Sequence, residues 1–198
     1  MKRFYTILIS LLAFAAISNG QTIIGAGYTR QTLNSDLDVT FNGSYVEFTK
    51  AFSATRNFGA EIGIGASYYY ANDFLPDYDF YGNISFAWQE VYIDVPVQLN
   101  YSLPLSTRVI LVPFIGATGS IGVQSKYVEK YGSTKTGSSV YDNADYRRLD
   151  LAATAGLNID ICSAFRVKAS YNWGLIDRET DRTAVYRDYL KVGVAYLF

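Results

Sequence analysis

The chain has 198 residues and a formal net charge of −1, with 17 Lys and Arg against 18 Asp and Glu. This balance gives no basic surface of the kind that neutralises phosphates, so nucleic acid is not an expected partner. The sequence contains 0 His, which excludes Ser-His hydrolases, His-ligated metals and the usual proton shuttles. We therefore expect no enzyme activity, no metal site and no cofactor.

The start of the chain has the three parts of a secretory signal peptide. A basic beginning is followed by an apolar run from Phe4 to Ile17 and by small residues up to Gly20. A transmembrane helix is the alternative interpretation, but a helix needs about 20 apolar residues to cross a bilayer and this run is shorter. The sequence predicts a signal peptide over 1–20 and a single domain over 21–198.

Eight segments of that domain alternate apolar and polar residues with a period of two, as a strand with one apolar face does. Abundant Tyr (18), Phe (12) and Gly (16) and scarce Pro (4) also favour strands and turns over helices. The clearest case is 91–101, in which Val91, Ile93 and Val95 alternate with polar or aromatic residues. The predicted strands cover about residues 22–30, 41–52, 58–70, 91–101, 108–123, 149–161, 165–175 and 190–198.

Alternation alone also fits a soluble sandwich or a lipocalin-like barrel with its apolar face inward. Strand length argues against both, because strands of roughly 9–13 residues are long for soluble sheets and are typical of strands that cross a membrane at a tilt. The connections alternate between long and short, as in outer-membrane barrels. The long ones are 31–40, 71–87, 124–147 and 177–187, and the short ones are 53–57, 102–107 and 161–164.

Aromatic residues on the apolar faces fall at two levels, which matches the two interfaces of a bilayer. At the long-loop end these residues are Tyr28, Tyr68, Tyr70 and Trp173. At the short-turn end they are Phe58, Tyr101, Phe165, Tyr196 and Phe198.

Backbone groups in hydrocarbon must all be paired, so a sheet that crosses a membrane has to close on itself. The sequence therefore predicts an all-β, eight-stranded antiparallel transmembrane up-and-down β-barrel, closed between the strand near Thr22 and the strand that runs to Phe198. We expect short periplasmic turns, longer extracellular loops and location in the bacterial outer membrane, with membrane lipid as the surroundings.

Nine charged residues occupy alternating strand positions whose side chains are predicted to point into the lumen. An eight-stranded barrel is only wide enough for side chains to fill, and buried charges must pair. We interpret them as a structural network of ion pairs and hydrogen bonds; the alternative is a narrow, gated proton or ion path. The nine residues are Glu47, Glu61, Glu90, Asp94, Arg148, Asp150, Arg166, Lys168 and Lys191.

The segment from Val91 to Val123, VYIDVPVQLNYSLPLSTRVILVPFIGATGSIGV, resembles the outer membrane protein β-barrel domain family that is widespread in Bacteroidetes and includes PorT-like proteins. Members carry a strand close to Y-L-E-I-P-L-L-L-K-Y, matched by residues 92–101, and an aromatic-Ile-Gly-Ala strand, matched by 114–117. The resemblance extends to 149–177 and the last strand, and it implies a porin-like barrel of the OmpX and OmpA kind. Departures at Asp94, Gln98 and Asn100 leave the fold intact. The C-terminal aromatic Phe198 resembles the signal that the barrel-assembly machinery reads, so that machinery is an expected partner during biogenesis.

The loops 71–87 and 124–147 are the places where we expect an unknown surface ligand or protein to bind. The first mixes Asp with aromatic residues but lacks the spacing of a calcium-binding EF loop, and the second is rich in Ser, Thr, Gly, Lys and Tyr. Cys162 lies in a short turn with no base or metal ligand beside it, and we interpret it as an incidental thiol.

Three functional hypotheses remain open on these grounds. The first is an outer-membrane barrel with a structural or surface-interaction role through its loops. The second is a minor channel or an accessory component of an outer-membrane transport or secretion complex. The third is a soluble secreted barrel that binds a hydrophobic ligand, which would invert the facing of every strand.

Overall fold

The computed structural model describes residues 20–34, 39–72, 84–131, 134–142, 146–179 and 184–198. Eight long strands follow one another along the chain and form one antiparallel sheet. They are β1 (Gln21–Asn34), β2 (Val39–Ser53), β3 (Phe58–Asn72), β4 (Ile84–Tyr101), β5 (Val109–Tyr131), β6 (Leu149–Ile161), β7 (Phe165–Gly174) and β8 (Tyr186–Leu197).

The sheet closes into a barrel because each strand pairs with two neighbours. β1 pairs with β8 from Ile23↔Leu197 to Asn34↔Tyr186, and β4 pairs with β5 across the short turn between them. The predicted eight-stranded antiparallel barrel, including its closure between the first and last strands, is confirmed. Among the described residues no helix has the length and apolar character needed to span a membrane.

Side chains alternate between a buried inner face and an exposed outer face along each strand. In β7, Arg166, Lys168 and Ser170 are buried, whereas Phe165 and Val167 are exposed. The buried set is polar and the exposed set is apolar, which is the reverse of a soluble barrel.

The strands extend further into the long-loop end than the sequence pattern predicts. β5 continues to Tyr131 and β4 begins at Ile84, so the sheet occupies parts of the predicted loops 124–147 and 71–87. β1 ends at Asn34 and β2 begins at Val39, so most of the predicted loop 31–40 is strand, and its prediction as a long loop was wrong. The reason is burial, because Leu33, Val39 and Phe41 pack into an apolar cluster at the barrel mouth.

Beyond the barrel, β5 folds back as a hairpin. The short strand Thr134–Ser139 pairs with Lys126 to Tyr131, and a single 3-10 turn, Val140–Asp142, follows it. Tyr141 of this turn is buried against the mouth of the barrel.

The turn between β6 and β7 holds the only two non-glycine residues of the described chain with positive φ. Cys162 has φ 53° and Ser163 has φ 55°, and the amide of Ala164 donates to the carbonyl of Ile161 at 3.2 Å. This is the two-residue hairpin geometry that favours glycine, because a Cβ in the left-handed region costs about 1–2 kcal/mol.

Ser163→Gly is expected to raise the free energy of unfolding by about 1 kcal/mol, because it relieves the strain at one of these positions. Urea titration of the folded protein in detergent micelles, followed by tryptophan fluorescence, measures this. Ser163→Val is the matched control and should destabilise; equal stability of the two variants would contradict the strained-turn interpretation.

Candidate functional site

The barrel interior is filled with charged side chains. Eleven are buried among the described residues, six acidic and five basic. They are Glu47, Glu61, Glu90, Asp94, Asp150, Asp160, Arg166, Lys168, Arg178, Arg187 and Lys191. This near balance of charge allows pairing across the lumen, which a buried charge requires.

Near the short-turn end, Arg166 of β7 joins two carboxylates. Its guanidinium donates from Nε and Nη2 to the two oxygens of Asp160 at 2.6 and 2.9 Å, a bidentate geometry. Its Nη1 donates across the lumen to Oε1 of Glu61 at 2.7 Å. Asn100 donates to the same oxygen at 3.2 Å.

One level further in, Lys168 of β7 pairs with Glu47 of β2 at 2.7 Å. Both side chains are buried, and the ammonium also lies 5.5 Å from the ring of Phe114. This pair bridges β2 and β7, between which β1 and β8 lie in the sheet.

Asp94 of β4 accepts hydrogen bonds from several side chains inside the lumen. Lys191 donates to it at 2.8 Å, and the hydroxyls of Ser67 and Ser120 donate at 2.5 and 2.7 Å. Arg187 adds a longer ion pair at 3.8 Å. A carboxylate with this many donors is fully compensated for its burial.

Arg187 of β8 makes cation–π contacts with several tyrosine rings of the lumen. It has 0% exposure and pairs with Asp150 at 3.1 Å. Its guanidinium carbon lies 3.9 Å from the ring centre of Tyr92 and 4.3 Å from that of Tyr189. Cation–π contacts of this kind are strongest where water is excluded.

At the long-loop end, Arg178 enters the barrel mouth from the connection between β7 and β8. It pairs with Glu90 at 3.2 Å and lies over the ring of Tyr146 at 4.7 Å. The amide of Arg147 donates to the carbonyl of Arg178, so the connections β5–β6 and β7–β8 are joined here. Burial raises the pKa of the Tyr146 phenol above its usual value, and this group stays neutral.

An apolar cluster closes the mouth beside this last ion pair. Its members are Leu33, Val39, Phe41, Tyr69, Ala71, Tyr92 and Val185, with Trp88 packed against them. At the short-turn end, the described part of the lumen contains a pocket of about 150 Å³.

The outer surface carries the aromatic residues that the sequence assigns to two belts. Tyr28, Tyr68, Tyr70 and Trp173 are exposed near the long-loop end, and Phe58, Phe165, Tyr196 and Phe198 near the short-turn end. Tyr101 is half-buried because its ring packs edge-on against Phe58 at 4.7 Å. Between the belts most outward residues are aliphatic or small, including Val46, Ile115 and Val194, and Phe48 is an aromatic exception.

The structure places eight of the nine predicted lumen charges inside the barrel and one outside. Arg148 is exposed, and its guanidinium carbon lies 4.9 Å from the ring of Tyr141. Its assignment to the lumen was wrong because β6 begins at Leu149. Arg148 precedes the strand, so the alternation of side chains between the inner and outer faces does not apply to it. The loop segments 73–83 and 143–145 lie outside the described residues. Cys162 is exposed in its turn.

Three buried charges were missed by sequence reasoning. Asp160 has lumen parity within the predicted strand 149–161 and could have been assigned from it. Arg187 has the same parity as Lys191, so extending the last predicted strand towards its start would have found it. Arg178 lies outside any strand and has no such signal. Among the described residues no cluster of three or more Asp, Glu or Cys side chains has the arrangement of a metal site.

The fold and its outward apolar face are like those of small outer-membrane barrels, and comparisons with known proteins agree on the fold. Residues 85–178, just under half of the chain, match the model of the family described as outer membrane protein beta-barrel domain. The narrower resemblance to PorT-like proteins of Bacteroidetes stays a prediction. No curated protein matches the sequence.

Several solved structures share the fold over 91% of this chain and 100% of their own chains. Ail, the attachment invasion locus protein of Yersinia pestis, is 16% identical with a TM-score of 0.52. Neisserial surface protein A is 14% identical with a TM-score of 0.53. A major outer membrane protein from Thermus thermophilus is 10% identical with a TM-score of 0.50. At these identities the similarity establishes the fold alone.

Proposed function

We propose that the chain is an integral outer-membrane β-barrel with a structural or surface-interaction role, and that its long-loop rim is the contact surface. In this proposal residues 1–20 direct export, the short turns face the periplasm and Phe198 contributes to recognition by the assembly machinery. No catalytic step is part of it.

The observation that carries the proposal is the apolar outer surface. Val194 and Phe198 are each 66% exposed, Ile115 is 65% exposed and Leu99 is 62% exposed. Soluble monomers rarely expose apolar patches beyond a few hundred Å². A continuous band of such residues between two aromatic belts is stable in a bilayer and would aggregate in water.

The filled lumen supports a structural role over the alternatives. A soluble barrel that binds a hydrophobic ligand needs an apolar cavity, whereas this interior is occupied by ion pairs. A channel needs a continuous aqueous path, and the buried ion pairs at Asp94 and Glu90 and the apolar cluster at the mouth lie within the described lumen. This packing favours the structural role.

The rim supports surface interaction because the sheet extends past the barrel there. The hairpin of β5 with Thr134–Ser139 exposes Thr136 and Ser138, and Arg147 and Arg148 are exposed beside it. A structural neighbour, Ail of Yersinia pestis, has been solved in complex with the heparin analogue sucrose octasulfate. That similarity is an analogy for binding at this rim and does not identify a ligand.

Cell fractionation tests the proposal. The full chain, expressed in a Gram-negative host, should be found in the outer-membrane fraction, resist extraction with alkaline carbonate and migrate faster on SDS gels before boiling than after. Recovery in the soluble periplasmic fraction without a heat-dependent shift would contradict the proposal.

The purified protein is expected to give no discrete conductance steps in planar bilayers, since the ion pairs fill the lumen. A general porin incorporated in the same bilayers is the positive control. Regular single-channel steps from the wild-type chain would instead favour the channel hypothesis.

A further inference from the structure

A groove on the outer face of the barrel crosses β3, β4 and β5 at the short-turn end. Its volume is about 430 Å³. Phe58, Leu99 and Ile115 form its walls, and each of them is more than half exposed. Ala60 and Pro113 are half-buried and form its floor. Small or rigid side chains between large ones therefore leave a depression in the apolar surface.

The pairing of the strands sets the direction of the groove. Ala60 pairs with Leu99 and Leu99 with Ile115, so the three residues lie in one row across the sheet. Phe58 pairs with Tyr101 in the next row towards the turns, and their rings are in edge contact at 4.7 Å. The groove thus reaches from the aromatic belt into the aliphatic band, which is the direction of a lipid acyl chain.

The lining of the groove suits hydrocarbon. Asn100 borders it, but its side chain points into the lumen and donates to Glu61. The hydroxyl of Tyr101 accepts a hydrogen bond from Nδ2 of Asn57 at 3.3 Å. A water molecule occupies about 30 Å³ and a methylene group is of similar size, so the groove has room for about a dozen methylene groups. An alkyl chain is the occupant that fits this composition.

The charge at this end of the barrel favours an anionic headgroup. The three short turns contain Arg56 and Arg108 and no Asp or Glu. Both arginines are exposed, and neither has a carboxylate partner in the described part of the chain. Arg56 lies in the same turn as Ala54, which lines the groove. The connections at the long-loop end, by contrast, all contain Asp. Unpaired cations at the level of the headgroups attract anionic lipids.

We infer that this groove binds one acyl chain of an anionic phospholipid, whose headgroup lies at the level of Arg56 and Arg108. Burial of the chain supplies affinity, and the two arginines supply the preference for negative charge. The inference rests on the proposed membrane location but fails separately from it, because a barrel in the outer membrane need not prefer any headgroup.

Native mass spectrometry of the purified protein in non-ionic detergent micelles tests the inference. The probe is dioleoylphosphatidylglycerol. Dioleoylphosphatidylcholine has the same chains without net charge, and glycerophosphoglycerol has the same headgroup without chains. The expected result is saturable binding of a single phosphatidylglycerol molecule, weaker binding of phosphatidylcholine and no binding of glycerophosphoglycerol.

Two variants separate the groove from the charge. Ala60→Phe fills the groove and keeps every charge, and it should weaken phosphatidylglycerol binding about tenfold or more, since displacing even two methylene groups costs that much. Arg56→Gln should weaken phosphatidylglycerol binding about fivefold and leave phosphatidylcholine binding unchanged, because a cation near an anionic headgroup contributes about that factor.

Ala153→Phe is the matched control for the filled groove. Ala153 pairs with the exposed Trp173 on the outer face of β6 and does not line the groove, so this variant should bind as the wild type does. Equal binding of the two dioleoyl lipids, or wild-type binding by Ala60→Phe, would overturn the inference. A protein dimer that Ala60→Phe abolishes would assign the groove to a second copy of the chain and would overturn it as well.

Discussion

Replacing Lys168 with Met should lower the free energy of unfolding by about 3–5 kcal/mol, because it leaves the Glu47 carboxylate buried without its partner. The two groups are 2.7 Å apart, and both are at least nine-tenths buried. Met keeps most of the volume of the lysine side chain, so the loss reports the charge rather than a cavity. Urea unfolding in detergent micelles, monitored by tryptophan fluorescence, gives the value.

The double variant Lys168→Met with Glu47→Gln separates pairing from packing. It removes both charges and should recover most of the lost stability, as neutral replacements of buried ion pairs often do. A double variant as unstable as the single one would show that the ion pair is not the reason for the loss.

Val95→Arg should destabilise the barrel in lipid by about 2–4 kcal/mol, because it places a charge at the bilayer midplane. The outward residue Ile64 lies midway between Phe58 and Tyr70, which belong to opposite aromatic belts. The register of β3 with β4 brings Val95 to the same level. Reversible unfolding from lipid vesicles measures the effect.

Thr136→Arg is the matched control for this substitution. Thr136 is exposed on the short strand beyond the barrel mouth, outside the apolar band. Arg at this position should leave stability within about 0.5 kcal/mol of the wild type, as surface substitutions usually do. If Val95→Arg were equally harmless, β4 would not face lipid.

The fold could be predicted from the sequence because one physical rule, strict alternation, acts along nearly every strand. That rule assigned Asp94, Lys168 and Lys191 to the lumen without knowledge of their partners. The pairs themselves could not be predicted, since Lys168 meets a carboxylate 121 residues away. Such contacts depend on how the strands are staggered around the barrel.

Apart from the omission of Asp160, the errors in the candidate site fall where alternation stops. Arg148 was placed in the lumen by counting past the first residue of β6, and Arg187 was placed in a loop although β8 begins at Tyr186. Arg178 enters the lumen from a loop whose path depends on Glu90 and Tyr146. Tertiary contacts of this kind leave no periodic signal.

The depth of Trp173 in a bilayer tests the central claim that the apolar face contacts lipid. The chain has 2 Trp, so Trp88→Phe leaves Trp173 as the single reporter, 46% exposed on the outer face of β7. Its fluorescence in vesicles should be quenched strongly by lipids brominated near the headgroup and less by lipids brominated near the chain end. Fluorescence that no brominated lipid quenches would contradict the claim.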